Sequence, residues 1–197
     1  CVLHYTANKE ILQDSELVLV DAGCEYQNYC ADVSRTFPVN GRFNPEQREI
    51  YQLVLTAYRE GLKQIRPGST WPKVQGAAIE ALTQGLIKLK LLQGKASDLI
   101  LAGAFKKFFM HGVGHWLGLD VHDVGPYKTN DDPTVFQEGM VLTLEPGIYI
   151  SALDDIDKKW WHIGVRIEDD ILVTAQGHEV LSSAAPITLE DIEQLMQ

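Results

Sequence analysis

Two apolar runs in this chain end in a carboxylate. Residues 17–23 read LVLVDAG, and residues 139–147 read GMVLTLEPG. A short apolar run bounded by glycine or proline is a strand signal. A strand that is buried and then carries an acid has few ways to fold. The acid must reach solvent or a counter-charge, because burying an unpaired carboxylate is costly. Asp21 closes the first run and Glu145 the second. Two more acids repeat the pattern: Asp32 lies in the strand-like stretch 29–38, and Glu168 follows Val165 and Ile167 in GVRIEDD.

Between these strand blocks the periodicity becomes helical. Asn44-Pro45-Glu46-Gln47 is a helix start, with Asn as N-cap, Pro at the first helical position and Gln three residues after the cap. Ile50, Leu53, Val54, Ala57 and Tyr58 follow at helical spacing, and Arg66-Pro67-Gly68 stops the helix. A second helix is predicted over 72–92, closed by Gly94, and a shorter third over 98–105. Strand signals then return. Residues 139–150 read as a strand interrupted at Glu145-Pro146-Gly147, and 164–174 as a strand broken at Asp169-Asp170. Gln176-Gly177 offers a hairpin turn into 178–182, and Thr188 with Asp191 caps a last short helix. Strands, then helices, then strands make an α+β order with an antiparallel sheet, not a βαβ alternation. At 197 residues and 45% hydrophobic, the chain suits one compact domain.

If 17–23 and 29–38 pair as a hairpin with an even-numbered loop, Asp21 faces residue 32 or residue 34. Side chains alternate with period two, so both registers put Asp21 and Asp32 on one face. Taken alone, Asp32 reads equally well as a solvated strand end. Four carboxylates at the ends of apolar strands are harder to leave to solvent. Two divalent ions would offset their four negative charges, and oxygen-rich ligation with one imidazole suits Mn²⁺, Co²⁺ or Zn²⁺.

The stretch HGVGHWLGLDVHDVG, residues 111–125, holds three of the six histidines. HxxxH on a helix would suggest a zincin, but the Glu of HExxH is missing, and the glycines between His111 and His115 disfavour helix. The glycines instead allow close approach to a ligand or another strand. No GxSxG supports a serine hydrolase. Each histidine alone fits a structural role equally well. His162, beside Trp160 and Trp161, and His178, expected in a turn, read as bystanders. A net charge of -10 makes the chain a poor partner for nucleic acid. No apolar stretch is long enough for a membrane span. Cys1, Cys24 and Cys30 form no pairwise framework and no CxxC, which points to a reducing, cytoplasmic setting.

Four stretches together, LVLVDAGCEYQNYCADVSRTFPVNG, MHGVGHWLGLDVHDVG, GMVLTLEPGIYI and GVRIEDD, resemble the catalytic domain of the aminopeptidase P (Xaa-Pro aminopeptidase) family within the M24 "pita-bread" metallopeptidases. The resemblance implies a curved antiparallel sheet flanked by helices over residues 1–197. It implies two divalent ions, Mn²⁺ before Co²⁺ or Zn²⁺, held by Asp21, Asp32, His115, Glu145 and Glu168. Asp32 and Glu168 would bridge the ions, and Glu145 would also carry the proton. His4, His111 and His122 would line the substrate pocket, with His111 and His122 serving catalysis and His122 donating to the oxyanion. Arg166 would partner the ligand carboxylates and border the substrate. The implied reaction is release of the first residue from a peptide with proline in second position, and the implied partner is that peptide. Self-association is left open. Prolidase shares the HGxGH and EPG blocks and is the alternative. A peptide-binding module with degraded ligands is the non-catalytic one, and the intact ligand set argues against it. The family domain has more chain ahead of the position of Cys1, including a separate N-terminal domain, so Cys1 is expected to be an interior position of a domain truncated on its N-terminal side.

Overall fold

The computed structural model of the chain describes residues 3–197, so the expectation for Cys1 lies outside the described residues. The first block holds β1 (Leu17–Ala22), β2 (Glu25–Tyr26), β3 (Tyr29–Cys30) and β4 (Val33–Pro38). β1 and β4 are antiparallel, in the register that sets Asp21 against Ser34. Asp32, two residues before Ser34, therefore falls on the same face. The stretch 29–38 is not one strand, however. Gln27 and Asn28 both have positive φ, as a two-residue hairpin turn requires. Tyr29 and Cys30 consequently fold back onto Tyr26 and Glu25, and the chain rejoins β1 only at Val33.

The helical block starts as its sequence demands. In α1 (Pro45–Leu62) the Asn44 side chain accepts from Gln47 N at 2.8 Å, and Asn44 N donates to Gln47 Oε1 at 2.9 Å. α2 (Trp71–Lys88) ends four residues before the expected Leu92. Lys90 has a φ of 62°, and the N–H groups of Leu91 and Leu92 both turn back to the Leu86 carbonyl. α3 (Ala96–Leu101) is likewise shorter than expected, because Gly103 at φ 67° separates it from a single 3₁₀ turn at Ala104–Lys107.

Next come a small hairpin of β5 (Lys128–Thr129) and β6 (Asp132–Pro133), then β7 (Val141–Leu144), β8 (Gly147–Tyr149), β9 (Gly164–Arg166), β10 (Asp169–Thr174), β11 (Gly177–Val180) and α4 (Leu189–Leu195). β10 pairs with β7 and β11, and β8 pairs with β9, all antiparallel. The two ladders share one register: Leu144 faces Asp169, and Gly147 faces Arg166. Glu145 thus falls opposite Glu168, and Pro146 opposite Ile167. Pro146 has no N–H to give, and the bond that remains there is Ile167 N to Pro146 O at 3.3 Å. The break expected at Asp169-Asp170 therefore lies at Ile167–Glu168 instead, and both aspartates are buried in β10. His178 belongs to β11 rather than a turn, and its Nδ1 lies 2.9 Å from Ile65 O.

The N-terminal hairpin is stitched to this second block. Thr36 Oγ1 accepts from Arg166 N at 3.1 Å and donates to Arg166 O at 3.0 Å, while Glu168 N donates to Ser34 O at 3.1 Å. Beneath the sheet, Leu142, Leu144, Ile148, Val165, Ile167 and Ile171 are fully buried in one core with Ile50, Val54, Ala78 and Leu82 of the helices. Each buried aliphatic side chain contributes roughly 1.5–3 kcal/mol. Among the described residues, no helix is long and apolar enough to cross a membrane.

Candidate metal centre

Residues 113–117 run extended beside β7. Glu145 N donates to Val113 O at 2.8 Å, Thr143 N to His115 O at 2.9 Å, and Leu117 N to Val141 O at 3.2 Å. A Cβ on Gly114 would collide with the Thr143 carbonyl and crowd the Trp71 ring. The glycine is there because backbone meets backbone, as the sequence reading expected. Trp116 anchors the segment, with ring centroids 5.3 Å from Trp71 and 5.9 Å from Phe136.

This threading gathers side chains that are far apart in sequence. A cavity of about 170 Å³ is lined by Asp21, Asp32, His115, Glu145 and Glu168, and also by His4, His111, His122 and Arg166. Those are all nine side chains singled out from sequence, and Leu3 is the tenth lining residue. A second hollow of about 430 Å³ shares His4, Asp21, Asp32 and His122, and is walled by Gly23, Cys24, Cys30 and Val121. A larger groove, about 1080 Å³ between α1 and α2, contains none of the nine. His162 and His178 line neither of the two hollows around the acids.

Several residues that hold the acids carried no sequence signal. Ser34 Oγ donates to Glu168 Oε2 at 2.7 Å and accepts from Arg166 Nε at 3.0 Å. Arg166 Nη2 bonds Asp21 Oδ2 at 2.6 Å, and Nη1 bonds the Tyr149 hydroxyl at 3.1 Å. That hydroxyl lies 2.9 Å from His111 Nε2. His111 Nδ1 faces the Gly112 carbonyl at 2.7 Å, which can only accept, so Nδ1 carries the hydrogen and Nε2 accepts from Tyr149. Burial pushes His111 down to about 4, so the ring is neutral. From the far side, Arg35 bonds the Ser34 and Glu168 carbonyls at 2.9 and 2.6 Å and pairs with Asp169 at 2.7 Å.

The electrostatics call for a cation. Burial, with Glu145 and Asp32 adding, pushes Glu168 up to about 9. Burial raises Glu145 to about 7, although His115 and Arg166 pull the other way. His115 Nδ1 bonds the Trp116 carbonyl at 3.0 Å, so the hydrogen sits there. Its Nε2 then faces Asp32 Oδ2 at 3.4 Å and Glu145 Oε1 at 3.9 Å. A neutral ring turns a lone pair towards those oxygens, an arrangement that needs a proton or a metal between them. Three donor groups converge closely enough to share an ion: Asp32, His115 and His122; His115, Glu145 and Glu168; and Asp21, Asp32 and Glu168. The donor chemistry fits divalent ions bound through oxygen and one or two imidazoles.

The profile of metallopeptidase family M24 matches residues 1–175. The Xaa-Pro aminopeptidase of Haemophilus influenzae is 49% identical over 196 residues, covering 100% of this chain and 45% of the relative. That of Escherichia coli K12 is 47% identical, over 100% of this chain and 44% of its own length. Among solved structures, Pseudomonas aeruginosa aminopeptidase PepP superposes with a TM-score of 0.97 at 49% identity, covering 100% of this chain and 45% of its own. Proline aminopeptidase P II from Yersinia pestis gives 0.96 at 47%, with 100% and 45% covered. The chain spans somewhat less than half the length of these relatives.

Proposed function

The chain belongs to metallopeptidase family M24, with its α+β pita-bread fold, and on that premise we propose that it removes the N-terminal residue from peptides whose second residue is proline. The observation that carries this reading is the single cavity bordered by all nine side chains, with three overlapping donor groups in it. The names of the longer relatives support the same substrate class.

We assign Asp21, Asp32, His115, Glu145 and Glu168 as the residues that would hold two divalent ions, Mn²⁺ first and Co²⁺ or Zn²⁺ next. The ions would supply Lewis acidity, polarising the scissile carbonyl and making water easier to deprotonate. Glu145, which borders the cavity with its carboxylate 3.9 Å from His115 Nε2, is assigned to take a proton from the attacking water and hand it to the leaving prolyl nitrogen. His122, whose ring lies 4.3 Å from that of His115, is assigned as donor to the carbonyl oxygen as it gains charge. His111, held neutral against Tyr149, and His4 form the walls. Arg166 bonds Ser34, Tyr149 and Asp21 through its three nitrogens, which leaves one N–H free on each Nη. We assign it to hold Asp21 and, as a lining residue of the cavity, to border the substrate. The bond before proline is a tertiary amide, so this site cannot depend on gripping an N–H at the scissile nitrogen.

Residues 1–197 are taken as one catalytic domain. The free thiols of Cys24 and Cys30 fit the cytoplasm. Sedimentation velocity tests for a homo-oligomer. The test of the function is an assay of Xaa-Pro-Xaa peptides, Xaa-Ala-Xaa controls and Xaa-Pro dipeptides with Mn²⁺ added. Cleavage confined to the first set supports the aminopeptidase, preference for the dipeptide supports prolidase, and no cleavage by a Mn²⁺-loaded chain overturns both.

A further inference from the structure

We propose that Asp170, which is outside the ligand set, is the positioning residue for Asp32. The proposal rests on the reading of Asp32 as a metal ligand. Cys30 N donates to Gly118 O, and Ala31 N to Cys24 O, both at 2.8 Å. The ladder with β1 resumes only at Val33. The N–H between them, that of Asp32, has no strand partner. It goes to the carboxylate of Asp170, 138 positions away in sequence, at 3.2 Å from each oxygen.

Asp170 is built to serve as an anchor. It is 5% exposed and sits in β10, where it faces Thr143. Its own N–H donates to Ser182 Oγ at 3.2 Å, and its carbonyl accepts from Leu181 N at 2.9 Å. Among the described residues it has no ion-pair partner. A buried acid that takes a main-chain N–H instead of a cation restrains the peptide plane it grips, through a charge-assisted bond shared between its two oxygens. That plane leads directly into the Asp32 side chain, which belongs to two of the three donor groups. Releasing it would let the Asp32 carboxylate swing relative to His115 and Glu168. Losing a group that orients a ligand typically weakens metal affinity by about 10–100-fold.

The test compares Asp170→Ala, which removes the acceptor, with Asp170→Asn, which keeps one carbonyl oxygen within reach. Two quantities are read on the 197-residue chain: Mn²⁺ affinity by calorimetry, and hydrogen exchange of the Asp32 amide in metal-free protein by NMR. Asp170→Ala is expected to lose about 10–100-fold in Mn²⁺ affinity and to speed exchange at Asp32 while sparing the β4 amides. Asp170→Asn is expected to recover most of both. Unchanged exchange and affinity in Asp170→Ala overturn the proposal, and so does an Asn variant no better than Ala. Should the Ala variant not fold, Asp170→Ser, too short to reach the amide, replaces it under the same criteria. Asp32→Asn separates this idea from the metal reading. If it binds Mn²⁺ like the parent, the ligand assignment fails, whereas protection of the residue 32 amide still reports on Asp170.

Discussion

Glu145 and Glu168 stand opposite each other across two antiparallel ladders that share one register and both open at that point. Burial raises both, to about 7 for Glu145 and about 9 for Glu168 in the metal-free site; Asp32 and Asp21 add to the rise at Glu145, and Glu145 and Asp32 to that at Glu168. An arrangement this unfavourable is stable only if protons or cations occupy it.

The first prediction follows from that charge. Asp32→Asn and Glu168→Gln should each lower bound metal and abolish turnover, since neutral amides cannot offset two dications. Elemental analysis alongside the peptide assay reads both effects. A fully metal-loaded, near-normal Glu168→Gln enzyme would remove Glu168 from the ligand set.

Proton release is the second. The Glu168 pKa lies far above its ordinary value of 4.5. Below 4.5 the folded and unfolded chains both hold that proton, so the group contributes nothing to stability. As pH rises from about 4.5 towards 9, the unfolded chain gives up the proton while the folded one keeps it, and metal-free stability falls. Mn²⁺ should reverse the trend and expel protons at neutral pH. Thermal unfolding with and without chelator, and calorimetry in buffers of different ionisation enthalpy, read these two effects. Metal binding without proton release would contradict the crowded-carboxylate picture.

The histidines should divide by task. His115→Ala should lose metal, because its Nε2 points between Asp32 and Glu145. His122→Ala should keep most of the metal and lose roughly a hundredfold in rate if it donates to the developing oxyanion. Because His122 also belongs to one donor group, the metal content of this variant decides between the two roles. Equal metal loss in both variants would make His122 a ligand.

Gly114→Ala should be destabilised by about 1–3 kcal/mol, the usual range for forcing extra volume into a filled space. Its new methyl would meet the Thr143 carbonyl and the Trp71 ring. Because residues 113–117 ride on β7, moving them displaces His115, so weaker Mn²⁺ binding should accompany the lower melting temperature. Gly177→Ala, with open space around it, should leave metal binding unchanged.

What the sequence determined by itself was local. The Asn44–Gln47 box starts α1 because both bonds lie within four residues. The glycines between His111 and His115 disfavoured helix for reasons internal to that stretch, and the apolar runs marked strands because burial imposes a period. The donor residues were visible because their types and neighbours are distinctive. Only the tertiary structure decided how these pieces meet. Residues 29–38 split at Ala31-Asp32 because the Asp32 N–H goes to Asp170, 138 positions away, and not to a neighbouring strand. The break in 164–174 fell at Ile167–Glu168 because Pro146, in the facing gap between β7 and β8, withholds an N–H there. Ser34, Tyr149, Arg35 and Asp170 act on residues up to 138 positions away, and a hydrogen bond over that separation leaves no trace in local composition or period.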